Sequence, residues 1–450
     1  MLYTNKNELI ETLKLSWPVS LGQLGHIMLG VVDSLMVGHV SASALAAASL
    51  VNGIFFLVIV LGIGMSMAVT PLVSIAKSSE EAGKCKSILL NSLYVNLILA
   101  IILTLIIYFL SYSLPYLGQQ NEVEVLAQSY MKILAYSIIP FLIFQTFRQF
   151  IEGLSITKPT MYIAIIANVV NAIGNWILIF GKFGVPALGL DGAGYATLIT
   201  RLFIMMSVIF YAFYSHEVKN YLPAKFLGKL NPDLIIKIIR IGFPSGLMYM
   251  MEVGAFAFSA VMIGWLGSEQ LAAHQIAISL ASISYMIILG ISTAGTIRVG
   301  NALGRKDFKQ IKRAGLSALS LGVIFMSVSA IIFISLNRFL PTLYISNPNV
   351  IEIASQLLIV AAIFQLSDGL QAVGSGILRG LTDVKVPLYV TIFSYWIIGI
   401  PSGYLLGFMA GFGVPGIWMG LLIGLTLAAV LFVIRFIKLS GKTFYPSVAE

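Results

Sequence analysis

The sequence predicts an all-α, polytopic membrane protein: twelve transmembrane helices in two six-helix lobes. Three observations predict it. Hydrophobic residues make up 58% of the 450 residues and charged residues only 10%, against about 25% charged in a typical soluble domain. A soluble chain of this length could not cover its surface with so few charges. Apolar runs recur at about the twenty residues that a bilayer-crossing helix needs, and not as the short alternating segments of a membrane β-barrel. Finally, the basic residues collect on alternate connections.

The apolar runs give spans near 14–39, 44–76, 88–111, 127–151, 160–181, 190–214, 235–266, 270–302, 313–336, 350–378, 387–409 and 414–437. With the N-terminus cytoplasmic, nearly all of the 27 Lys and Arg residues fall on the cytoplasmic side. The richest connections carry Lys219, Lys225, Lys229, Lys237 and Arg240, and then Arg298, Arg305, Lys306, Lys309, Lys312 and Arg313. Arg379 and Lys385 follow, and the tail adds Arg435, Lys438 and Lys442. Only Lys182 and Arg338 fall on the far side, while Lys132, Arg148 and Arg201 fall inside spans. This is the positive-inside bias, and one span missed or invented would scramble it. The net charge of +9 is then a signal of topology and asks for no nucleic-acid partner.

Smaller features agree. The single cysteine, Cys85, can form neither an intrachain disulfide nor a metal cluster. The opening stretch has no signal-peptide layout, so the first helix is expected to be retained. The expected division is a lead-in over 1–13, a first lobe over 14–215, a linker over 216–234, a second lobe over 235–438 and a tail over 439–450.

The lobes repeat. "SWPVSLGQ" (16–23) aligns with "GFPSGLMY" (242–249), pairing Pro18 with Pro244 at a shift of 226. The same shift lays "MVGHVSASALAA" on "MIGWLGSEQLAA". Farther on, "EGLSITK" (152–158) pairs with "RGLTDVK" (379–385). Six spans per repeat bring both halves in from the same side, so the lobes are expected to be related by a pseudo-twofold axis along the membrane normal. Transporters use this arrangement. Pro18, Pro71, Pro140, Pro244 and Pro401 are expected to start or kink helices.

A charge at the centre of a spanning helix costs about 2.5–3.5 kcal/mol on insertion scales. Asp33, Glu252 and Asp368 nevertheless lie well inside spans, and Arg201 lies near the middle of the sixth. Each carboxylate is read as part of an ion or substrate path, with a hydrogen-bonded structural carboxyl as the blander alternative. Arg148 and Glu152, near one end of the fourth span, are expected to reach the headgroups. Asn171 and Asn175 are one helical turn apart and face the same way. Their carbonyl oxygens, with Asp33 and Thr197, can ligate a small hard cation or simply join helices. Phe364 precedes Asp368 by one turn. A ring beside carboxylates suits an organic cation, although packing explains any single aromatic equally well. The sequence shows no phosphate-binding loop, nucleophile elbow or zinc motif, so no enzyme is expected and energy must come from an ion gradient or a partner protein.

At this point the motifs look familiar. "VDSLMVGHVSASALAAASL", "EGLSITKP", "NAIGNWILIFGKFG", "LAAHQIA", "IRVGNALG", "LRGLTDVKVP" and "YWIIGIPSGYLLGF" together resemble the multidrug and toxic compound extrusion family, most closely its NorM-type branch. The resemblance implies two lobes around a central cleft and export of cationic amphipathic drugs in exchange for Na⁺ or H⁺. It implies no cofactor beyond the coupling ion, and it implies a monomer in the bacterial inner membrane with both termini cytoplasmic. Asp33, Asn171, Asn175 and Thr197 look like the family's first-lobe cation site. Glu252 and Asp368 look like its second-lobe acidic pair, so Na⁺ is expected at one or the other group. Gln275 and Tyr285 resemble positions near drug or cation. Phe364 stands where some members have Tyr, which keeps a ring but loses a hydroxyl ligand. Arg201 matches nothing in the pattern. A flippase for lipid-linked oligosaccharides is the alternative, but a pyrophosphate cargo would want several basic residues where this chain has carboxylates. A non-transport membrane protein would need a catalytic constellation or signalling domain, and the sequence shows neither.

Overall fold

The structure, a computed structural model, describes residues 6–118, 120–223 and 230–441. Lys225, Lys229, Lys442, most of the expected tail and the first five residues lie outside the described residues. Among the described residues there are helices and no strands. Among the described residues eleven helices are long and apolar enough to cross a membrane, and a bent pair makes twelve when it is counted as one span. In order they are α1 Lys6–Gly38, α2 Ala42–Ser78, α3 Ala82–Tyr116, α4 in two pieces (Asn121–Tyr136 and Ile138–Gly153), α5 Lys158–Phe180 and α6 Gly189–Tyr214. After these come α7 Pro232–Gly264, α8 Ser268–Gly304, α9 Phe308–Ser335, α10 Pro348–Gly380, α11 Lys385–Met409 and α12 Gly413–Leu439.

The prolines act in two ways. Pro71 lies in the first turn of Val69–Ser78, where α2 restarts after a break, and Pro140 lies in the first turn of the second piece of α4. The two pieces of α4 are bent by 40°. Pro401 lies between two π-helical stretches of α11, the wide turns that often mark functional sites. Pro18 and Pro244 instead stay inside unbroken helices. They have no N–H to give to the carbonyls of Lys14 and Arg240, which weakens both helices at that point.

Two compact units follow, and their boundaries fall just after those two prolines. One unit is Leu21–Gly246; the other joins Met1–Ser20 to Leu247–Glu450. Each unit thus includes the opening segment of the other repeat's first helix. In the first unit Asn231, just ahead of α7, donates its backbone N–H to Asn91 Oδ1 at 2.9 Å. A Cβ on Gly64 would come within 2.2 Å of Gly246 Cα, so α2 and the start of α7 touch backbone to backbone, which only glycine permits there. In the second unit Ser20 Oγ donates to the Ile287 carbonyl at 2.9 Å, and a Cβ on Gly290 would come within 2.1 Å of Ser20 Oγ. Gly64 and Gly290, like Ser20 and Gly246, are partners under the repeat shift. The internal repeat therefore extends to a pair of equivalent close contacts.

Arg298 also fixes the start of α1 in the second unit. It donates to Thr12 Oγ1 at 2.6 Å and to Glu11 at 2.8 Å, and it pairs with Glu8. Arg298 and Arg379, which the sequence placed with the cytoplasmic connections, are buried in the closing turns of α8 and α10. Each unit has its own apolar core. Val51, Phe55, Leu103, Met131 and Leu142 centre the first. Leu357, Phe364, Tyr395 and Trp418 centre one part of the second, and Ile288, Met326, Val373 and Phe432 centre another.

Candidate functional site

In the Leu21–Gly246 unit, four of the expected residues meet. α1 supplies Asp33, α5 supplies Asn171 and Asn175, and α6 supplies Thr197. Asn175 Nδ2 donates to Asp33 Oδ1 at 2.5 Å and to Asn171 Oδ1 at 3.2 Å. Thr197 Oγ1 donates to Asp33 Oδ2 at 3.2 Å. One carboxylate is thus held by three neutral groups. Both asparagines are buried, and Asn175 Oδ1 has no hydrogen-bond partner among the described residues. A buried carbonyl oxygen without a donor is costly. The Asn175 atom that faces Asp33 and Asn171 is its amide nitrogen; turning that amide over would set its oxygen beside Asp33, Asn171 Oδ1 and Thr197 Oγ1, the donor chemistry of a hard cation.

Arg201 lies one turn beyond Thr197 on α6. Its Nη1 donates to Ser137 Oγ at 2.7 Å, and its guanidinium lies 4.9 Å from the ring centres of both Phe55 and Phe141. Ser137 is the residue at the break in α4, so Arg201 fills the gap where that helix restarts. Its charge and that of Asp33 act on each other, so the first-unit group is partly balanced from within.

Arg148 and Glu152 do not reach the headgroups, contrary to the sequence expectation. They form a buried ion pair, Arg148 Nε to Glu152 Oε1 at 2.7 Å, with side chains 5% and 1% exposed. Gln23 accepts from Arg148 and Thr160 donates to Glu152. The geometry is that of an i, i+4 pair on one helix face, enclosed because α1 and α5 lie over it.

In the other unit, Glu252 on α7 is 6% exposed and Asp368 on α10 is 5% exposed. Tyr285 Oη donates to Glu252 Oε1 and Gln371 Nε2 to Glu252 Oε2, both at a long 3.4 Å. The carboxyls of Glu252 and Asp368 lie close enough to interact electrostatically. Phe364 lies one turn before Asp368 but is 3% exposed and enclosed by the rings of Phe256 and Trp418, at 5.9 and 5.8 Å. Gln275 stands apart. It is exposed, makes no side-chain hydrogen bond among the described residues, and lies about 15 Å along α8 from Tyr285 at the helical rise.

Sequence reasoning missed Gln371, which follows Asp368 by three residues on the same face and could have been found by that spacing. It also missed Tyr395, fully buried on a π-helical stretch of α11, whose hydroxyl has no partner among the described residues. Tyr395 carries no formal charge and lies in an apolar run, so no sequence signal marks it. The ring of His274 accepts from Trp418 Nε1 at 3.1 Å. Among the described residues no cluster of three His, Cys, Asp or Glu side chains could hold a metal ion.

Known proteins share this helical architecture. The chain is 35% identical over 435 residues to a probable multidrug resistance protein NorM of Agrobacterium fabrum, covering 95% of this chain and 93% of that one. It is 33% identical over 442 residues to the multidrug resistance protein NorM of Aliivibrio fischeri, covering 97% and 96%. A crystal structure of a eukaryotic MATE transporter, AtDTX14, shares the fold at a TM-score of 0.86 with 22% identity, covering 96% of each chain. The family model described as MatE fits the chain twice, over residues 18–177 and 244–405. The two fits open on the paired prolines Pro18 and Pro244, and together they span most of both repeats. With its helices, its repeat and its near full-length relatives in agreement, this chain belongs to the MatE family.

Proposed function

We propose that the protein is a secondary active multidrug efflux antiporter. It exports cationic amphipathic compounds in exchange for Na⁺, with H⁺ as the alternative coupling ion, by alternating access of two lobes. It works as a monomer in a bacterial inner membrane, with both termini cytoplasmic. The bacterial relatives named as multidrug resistance proteins support this reading, as does the placement of the basic connections.

The observation that carries the reading is the buried pair Glu252 and Asp368. Arg379 acts on Glu252 as a positive charge, and two carboxyls in one dry site still call for a further cation, or for protons, to be held there. A drug cation can supply that charge on the way out, and Na⁺ or protons can supply it on the way back. Because one set of carboxylates serves both, only one kind of positive ligand is held at a time, and this competition is what couples the two flows. Coupling further requires that each ligand favour one conformation over the other. Asp33 with Asn171, Asn175 and Thr197 forms a second site for the coupling ion, which the Asn175 amide completes by turning its oxygen toward the carboxylate. Of the flippase alternative, the membrane-centre arginine that a pyrophosphate would use, Arg201, is already engaged by Ser137 and two rings.

The test is binding competition. Purified protein is titrated with a fluorescent cationic dye at rising NaCl, with choline chloride holding ionic strength. Na⁺ should lower the apparent dye affinity about tenfold once it reaches about ten times its own dissociation constant, and dye should lower Na⁺ affinity by the same factor, as linkage requires. Dye affinity that depends on ionic strength alone would remove the shared-site reading.

A further inference from the structure

A second polar site lies away from both carboxylate groups, at the basic end of the unit containing α8. A cavity of about 330 Å³ there is lined by Glu11, Lys14, Leu15, Arg298, Asn301, Arg305 and Gln310. We propose that this cavity binds the phosphate headgroup of an anionic phospholipid from the leaflet on the basic side of the membrane. The inference rests on the proposed topology only for which leaflet that is, and it is independent of the transported ion.

The charges of the cavity are unevenly matched. Arg298, at its floor, is 6% exposed and already neutralised by Glu8 and Glu11. Lys14 and Arg305 are exposed and have no ion pair among the described residues. The chain continues from Arg305 into Lys306, Lys309, Lys312 and Arg313, so the field around the opening is positive. A single anionic group entering between Lys14 and Arg305 would meet two free cations.

The neighbouring surface selects a lipid over a free anion. Ile10, Leu13 and Trp17 lie at i, i+3 and i+7 on α1, one face of a helix, and are 38%, 50% and 40% exposed. This apolar strip flanks Lys14 and gives acyl chains a surface continuous with the headgroup cavity. A tryptophan at such a level is the usual anchor at the membrane–water boundary. The level fits, because the 37 residues of α8 span about 55 Å, longer than a bilayer with its headgroups at about 40–45 Å. The end of α8, where Arg298, Asn301 and Arg305 lie, therefore reaches the headgroup zone. Basic pockets between helices at this level are suited to anionic headgroups.

The experiment uses the full-length protein, delipidated in detergent. Native mass spectrometry reads retained phosphatidylglycerol, with phosphatidylcholine and inorganic phosphate as comparison ligands. The expected result is retention of phosphatidylglycerol in preference to phosphatidylcholine, without displacement by millimolar phosphate. Lys14→Gln with Arg305→Gln should weaken retention about thirtyfold, the factor two charges amount to near an anionic surface. Lys14→Arg with Arg305→Lys keeps the charges and should keep the lipid. Lys309→Gln with Lys312→Gln removes the same charge outside the cavity and should change little. Equal weakening by both charge-removing pairs would overturn the site in favour of a diffuse basic field. Displacement by phosphate, or equal retention of phosphatidylcholine, would overturn the lipid assignment. Both altered residues are exposed, so unchanged thermal unfolding of each variant is expected and is checked alongside.

Discussion

Glu252→Gln is expected to abolish cation-driven export while leaving the fold intact. The substitution keeps the size of the side chain and a carbonyl oxygen for Tyr285. It removes one of the two ionisable carboxyls of a nearly dry site shared with Asp368, and the folded state keeps its packing. What disappears is the charge that holds the exchanged cations. Truncating one partner of a buried charge pair costs about 2–5 kcal/mol of binding, which is at least about thirtyfold in affinity. Dye export in reconstituted vesicles should therefore fall by at least that factor, with an unchanged or slightly raised unfolding temperature. Undiminished coupled export in this variant would sink the assignment of Glu252.

Glu152→Ala is expected to do the opposite: it should damage the fold. Arg148 would be left buried with its charge unmatched, since Glu152 is its ion-pair partner and both side chains are almost fully enclosed. Breaking such a pair from one side costs about 3–5 kcal/mol, whereas replacing both members with apolar residues of similar size is often neutral. The double variant Arg148→Met with Glu152→Leu should accordingly recover most of the loss. Thermal unfolding in detergent, followed by the fraction remaining monodisperse, measures both. If the single variant unfolds at the parent temperature, the ion pair contributes nothing and the enclosure argument fails.

These two carboxylates show what the sequence made legible. Both are glutamates near apolar stretches, and the sequence distinguished them only by depth in a span. Depth was enough to mark Glu252, and the four-residue spacings were enough to align Asn171 with Asn175 and Phe364 with Asp368. The partner sets were not legible, because they come from helices far apart in the chain. Arg148 is enclosed by α1 and α5, whose positions follow from tertiary packing and not from local periodicity. Arg201 read as an unexplained cation because its partners are two rings and a hydroxyl, none of which carries a charge signal. Tyr395 was invisible for the same reason. Gln275 was grouped with Tyr285 by resemblance alone, and the length of α8 separates them. The repeat was legible from Pro18 and Pro244, but the inclusion of each opening helix segment in the other unit was not. That depends on Gly64 and Gly290 meeting a backbone across some two hundred residues of chain.

Exchange with Na⁺ at these carboxylates as the driving force for export of an organic cation is open to a direct transport measurement. Purified protein reconstituted into vesicles preloaded with a cationic dye measures it most directly, with Na⁺ added outside at equal pH and zero membrane potential. Dye release is expected to begin on adding Na⁺, to saturate with Na⁺, and to be much weaker when a pH gradient is imposed without Na⁺. Dye release indifferent to both gradients would contradict antiport altogether, and release driven by the pH gradient alone would contradict Na⁺ as the coupling ion.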